Sequence, residues 1–180
     1  MKDKLADHGL TLSMVTQPDL ADAAQNERRS GLLARRRGWR TDRFLFVGFP
    51  WDLCWQVVEI DADDIPNLRY ANTPEWAGLS RGTLLPSVGA KRIGAGDPTI
   101  AAEAHVDAIT AIATRIRNGE SLPPAIAMGT PSGTLIVFVE GHARITAHLL
   151  ADVPNPFRLI YGCAPLPRLR SWLFFPPDAS

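Results

Sequence analysis

The stretch Val137–Ala147, VFVEGHARITA, constrains the fold of this chain more than any other. Val137 to Val139 read as the end of a buried strand. Gly141 permits a tight turn. Ala143 to Ala151 then read as a helix with Ile145, Leu149 and Leu150 inward. A strand that passes into a helix through glycine leaves the first helical amides unpaired and partly positive. That geometry suits a phosphate. His142 and Arg144 fall on the first turn, where a cation adds to the amide cradle and an arginine can fork onto two oxygens. Thr146 adds a hydroxyl. Glu140, at the strand end, is a candidate to hold magnesium, to orient His142 or to take a proton; a salt bridge to Arg144 is the alternative.

The surroundings alternate between short strands and helices. Trp55 to Ile60 reads as a strand, as does Phe44 to Phe49. Ile100 to Asn118 is the best helix, with His105, Ile109, Ile112 and Ile116 at helical spacing and Gly119 as its stop. Ala125 to Met128 and Thr134 to Val139 form a hairpin about the turn Thr130–Gly133. Phe157 to Tyr161 is a further strand. Residues 66–100 carry Pro66, Pro74, Pro86 and Pro98 among several glycines, and read as a long loop with one short helix near Glu75 to Leu79. Within it, Ser80–Thr83 and Gly89–Arg92 read as basic surface turns, with closure over phosphates or a second substrate as the alternative. Asp61, Asp63 and Asp64 read as a solvated turn. The pattern predicts an α+β fold, a small mixed β-sheet with packed helices.

Composition narrows the class. Of 180 residues, 46% are hydrophobic and 21% charged, the balance of a folded chain. Lys plus Arg and Asp plus Glu are 19 each, so the total argues against a strongly basic nucleic-acid binder. The charge is uneven, however. Arg28, Arg29, Arg35, Arg36, Arg37, Arg40 and Arg43 crowd one segment. The expected organisation is therefore a basic helical N-terminal appendage, residues 1–43, with a helix over Asp19–Arg37, and a main domain at 44–180. Cys54 and Cys163 are too few for a disulfide scaffold and are expected to be buried thiols. With no apolar run of about 18 residues and no leader-like start, the expectation is a cytoplasmic protein without a membrane segment.

Taken in order, the helix ending at Gly119, the Pro-led strand LPPAIAM and the run GTLIVFVEGHARITAHLLA resemble the ParB/sulfiredoxin-like superfamily, in particular its ParB-like nucleotide-binding domain. The likeness covers residues 105–153, with a looser match from about Val57 through VVEIDADDIPNL. It implies a bound nucleotide, ATP or CTP, with Mg2+. Gly141, His142, Ala143, Arg144 and Thr146 would bind its phosphates and Glu140 the metal. It also implies Glu140 and His142 as catalytic candidates for phosphoryl transfer to water or a small-molecule acceptor; whether the chain is an enzyme stays open. The sulfiredoxin branch needs a cysteine in the motif, and position 142 is His, so that reductase chemistry is not expected. The chromosome-partitioning branch continues into a helix-turn-helix domain, whereas residues 152–180 are Pro-rich. From a different class, the alternative is a non-catalytic interaction module that contacts protein or nucleic acid through Arg28–Arg43, with Trp51 and Trp55 as contact surface. His105, on an apolar stripe, is expected to be a core or edge histidine.

Overall fold

A computed structural model describes residues 22–24, 53–100, 105–154 and 156–170. The chain separates into two units, Met1–Phe44 and Leu45–Ser180; the elements below belong to the second. The expected strand at 44–49, the cluster Arg28–Arg43 and Trp51 lie outside the described residues. So does most of the expected helix at 19–37.

Strand β1 (Cys54–Ile60) is followed by a short 3-10 turn and by β2 (Leu68–Arg69). Helices α1 (Pro74–Leu79), α2 (Pro86–Gly94) and α3 (Val106–Arg117) come next. Then come the hairpin strands β3 (Ala125–Gly129) and β4 (Ile136–Glu140), helix α4 (His142–Ala151), strand β5 (Phe157–Cys163) and helix α5 (Leu166–Arg170). The five strands form one sheet in the order β1-β5-β3-β4-β2. β1 is antiparallel to β5, β3 parallel to β5, β3 antiparallel to β4, and β2 parallel to β4. This is a mixed sheet with packed helices, an α+β fold.

Register defines two ends of the sheet. At one, Ile60 pairs with Phe157, Ala125 with Leu159, and Ile126 with Glu140. At the other, Cys54 pairs with Cys163, and Gly129 with both Cys163 and Ile136. The VFVEGHARITA motif sits at the first end. There β4 finishes and α4 begins, and α4 packs against α2 and α3. The main core lies between these helices and the sheet. Leu68, Tyr70, Leu79, Ile109, Phe138, Ile145 and Leu159 are its most enclosed large side chains. No helix among the described residues is long and apolar enough to cross a membrane.

The structure corrects three local expectations. Gly89–Arg92 is part of α2 rather than a surface turn. Two glycines lower helix propensity there, but Gly89 is required by packing, since a Cβ would stand 2.6 Å from the Tyr70 hydroxyl. Pro86 opens the helix, the one position where the missing amide costs nothing. Secondly, α3 starts only at Val106. His105 precedes it in a left-handed conformation (φ 53°) and is exposed, not on the apolar stripe. Thirdly, Cys54 is exposed and Cys163 half-buried, so neither is a core thiol.

Gly129 gives a direct test of this register. Any Cβ there would overlap the Leu135 carbonyl oxygen and the Tyr161 hydroxyl. Tyr161 in turn donates to the Thr130 carbonyl at 2.7 Å. Gly129→Ala should destabilise the protein by about 2–3 kcal/mol in urea titration, because backbone cannot give way as a flexible side chain can. Gly133→Ala, strained (φ 68°) but facing open space, should lose only about 1 kcal/mol.

Candidate functional site

Gly141 ends β4 and caps α4 with φ 99° and ψ 20°. A Cβ at this position would lie 2.5 Å from the Ala125 Cβ and 3.1 Å from Arg144 Nη2. Conformation and space therefore both demand glycine. The first intrahelical bond runs from Ile145 N to Gly141 O at 3.0 Å. The amides of His142, Ala143 and Arg144 precede it, in the first turn, ahead of the helix's i→i−4 ladder. Gly141 has no side chain with which to cap them. They carry the positive end of the α4 dipole.

Arg144 is held beside this turn. Its Nη1 donates to the carbonyls of Pro123 at 2.7 Å and Pro124 at 3.0 Å. Its Nη2 lies 3.9 Å from Glu140 Oε1. The salt bridge weighed for Glu140 is thus formed, at the loose end of the range. One edge of the guanidinium is fixed by backbone just before β3, and another hangs over Gly141. Glu140 keeps a third of its side-chain surface exposed and Arg144 a fifth.

His142 takes a different place from the one its spacing suggested. The residue is half-buried and its ring is enclosed by aromatic neighbours. Trp76 stacks on it at 5.0 Å and 14°, with Tyr70 at 6.0 Å and Phe138 at 6.3 Å. Nε2 accepts the Ala71 amide at 3.2 Å, which puts the ring proton on Nδ1. Burial pulls the imidazole down to about 4, against a smaller upward effect from a backbone hydrogen bond to Phe138. The expected cation at the first turn is therefore a neutral ring at neutral pH.

Thr146 is also corrected. Its hydroxyl is fully buried, donates to the His142 carbonyl at 2.7 Å and lies 2.5 Å from the Tyr70 hydroxyl. It braces the start of α4 from inside the core and does not face a phosphate at the turn. The arginines of the basic turns in the preceding region are likewise committed elsewhere. Buried Arg92 binds the Gly78 and Leu79 carbonyls, Asp97 and Thr99. Arg81 pairs with Asp97. Asp61 accepts the Asp63 amide in the turn expected there.

Two features went unmarked in the sequence. Thr73, two residues beyond the amide that holds His142, has a buried hydroxyl without a hydrogen-bond partner. A cleft of about 380 Å³ lies along the C-terminal half of α4, lined by Ile60, Asp61, His148, Leu149, Asp152 and Phe157 among others. Among the described residues, no group of three or more His, Cys, Asp or Glu side chains is placed to hold a metal ion.

Comparison with known proteins adds no relative: no family model, curated protein or solved structure matches this chain.

The His142 environment has a pH signature. Its folded value lies below the ordinary 6.5, so the unfolded chain binds the proton more readily. The stabilisation is complete above about 6.5 and is lost as pH falls toward 4. Urea titrations from pH 7 to 4 should show this loss, on the order of 2–3 kcal/mol. Most of it should be missing in His142→Gln, whose amide oxygen can still accept from Ala71.

Proposed function

We propose that this chain binds a nucleoside triphosphate, ATP or CTP, at the turn Gly141–Arg144, on a fold of the ParB/sulfiredoxin-like kind. The observation that carries the reading is the pairing of the first-turn amides of α4, residues 142–144, with an arginine already fixed beside them. Backbone amides at a helix start and a rigid guanidinium are complementary to phosphate oxygens. The order helix, strand, hairpin, glycine turn, helix supports the fold assignment.

In this reading the phosphates lie against the amides of His142, Ala143 and Arg144, with the Arg144 guanidinium on their outer oxygens. His142 is a positioning residue: its neutral ring anchors the first turn of α4 and contributes no charge. Glu140, adjoining the turn, is the carboxylate that would meet a Mg2+ arriving with the nucleotide. A single carboxylate plus phosphate oxygens and water suits Mg2+, which rarely relies on an all-protein cage. Phosphoryl transfer to water or a small-molecule acceptor asks mainly for positioning and charge neutralisation. Glu140 is the nearest candidate to take the acceptor's proton.

The test is thermal unfolding with ATP, CTP, GTP or UTP and Mg2+. A nucleotide at one hundred times its Kd should stabilise the protein by about 2.7 kcal/mol. Arg144→Ala should abolish the shift while circular dichroism reports an intact fold. Glu140→Gln should keep metal-free binding and lose the added effect of Mg2+. Absence of any nucleotide-dependent shift in the wild type would overturn the reading and redirect attention to the Arg28–Arg43 segment as an interaction element.

A further inference from the structure

Cys54 and Cys163 are the only cysteines in the chain, and the sheet brings them together. They are direct partners in the antiparallel β1–β5 ladder. Residues directly opposite in such a ladder point to the same face, with Cα atoms roughly 4.5–5.5 Å apart. A disulfide spans Cα separations of about 4.4–6.8 Å, so the ladder already holds the two residues at bridging distance. Cys54 is exposed and Cys163 half-buried. Cys163 feels its partner as well as its burial: desolvation first, then the charge and hydrogen bonding of Cys54, push its thiol up.

We propose that Cys54 and Cys163 form a reversible cross-strand disulfide by exchange with a low-molecular-weight disulfide such as oxidised glutathione. The exposed Cys54, as thiolate, attacks one glutathione sulfur. An S–S bond to Cys54 forms, the glutathione disulfide breaks, and one glutathione leaves as thiolate. Cys163 then loses its proton to solvent and attacks the Cys54 sulfur. The protein disulfide forms and the second glutathione leaves. Two protein thiols are oxidised, one glutathione disulfide is reduced to two thiols, and no other oxidant is required. The bridge pins the first residue of edge strand β1 to the last residue of β5. It lies at the end of the sheet opposite Gly141, so it does not depend on the nucleotide reading.

The experiment is equilibration of the full chain in buffers of graded oxidised-to-reduced glutathione ratio. Acid quenching, thiol counting and intact mass follow. The expected result is paired loss of both thiols, a mass lower by two hydrogens, and a proteolytic fragment joining the Cys54 and Cys163 peptides. The thermal midpoint should rise by at least about 5 °C on oxidation, because a long loop is closed. Cys54→Ser, exposed and therefore tolerated, should lose both the linked fragment and the rise. A glutathione adduct that persists on Cys54 while Cys163 stays reduced would overturn the proposal. So would a disulfide between two copies of the chain, or two thiols that remain free at every ratio.

Discussion

The neutral ring of His142 is the contact on which the candidate site depends. It is the first residue of α4, yet it faces the core. There it stacks on Trp76 of α1 and takes the amide of Ala71, just after β2. Tyr70 and Thr146 repeat the connection one turn further along. The start of α4 is thus tied to the opposite side of the chain's middle region by polar bonds inside an aromatic enclosure. A charged imidazole would not suit that enclosure, and its acceptor would be lost on protonation. The same features that make His142 a poor charge stabiliser make it an effective wedge.

Arginines perform a second structural task. Helix ends leave backbone carbonyls without partners, and here guanidinium groups meet them. Arg92 covers the Gly78 and Leu79 carbonyls at the end of α1. Arg117, at the end of α3, reaches the Leu150 and Ala151 carbonyls at the end of α4. Arg69 folds back on Pro66 and Leu68. Arg144 clamps Pro123 and Pro124. The five donors of a planar guanidinium make such double engagement easy. The same number of donors lets Arg144 Nη2 stand beside Gly141 and Glu140 while Nη1 binds both prolyl carbonyls. Arginines that look available in sequence are thus spent on backbone at these four positions, and Arg81, Arg115 and Arg158 pair with carboxylates.

What was legible in the sequence follows from how local each signal is. The hairpin Ala125–Val139, the glycine turn at 141, helix α4 and strands β1 and β5 carry strong period and clear breakers. Each was found within a few residues of its observed bounds. Helix α2 was hidden because Gly89 weakens it locally and is demanded by Tyr70, a neighbour distant in sequence. For His142 and Thr146 the sequence indicates the correct element but the wrong direction, whereas Arg92, expected in a surface turn, lies buried on α2. Spacing fixes a residue's position along a helix, whereas the aromatic enclosure that turns His142 inward comes from three separate segments. The pairing of Cys54 with Cys163 was out of reach for a similar reason. It needs the first strand and the last to be neighbours, and nothing local to either cysteine says so.

These directions change the physical character of the turn. Amides and a guanidinium do not titrate near neutrality, so the charge these groups bring to Gly141–Arg144 is constant across the physiological range. It is also preorganised, because the prolyl carbonyls fix Arg144 before any ligand arrives, and little ordering entropy is left to lose on binding. His142 acts on this arrangement only through the fold. While its ring is neutral, the start of α4 is held by the Ala71 amide and the Trp76 stack. When acid protonates it, the bond from Ala71 is lost and the charged ring must leave its aromatic surroundings. The turn then loses its geometry rather than its charge. In the proposed reading, anion recognition would be coupled to the integrity of the helix start, and for that reason the histidine of the motif is more informative about stability than about chemistry.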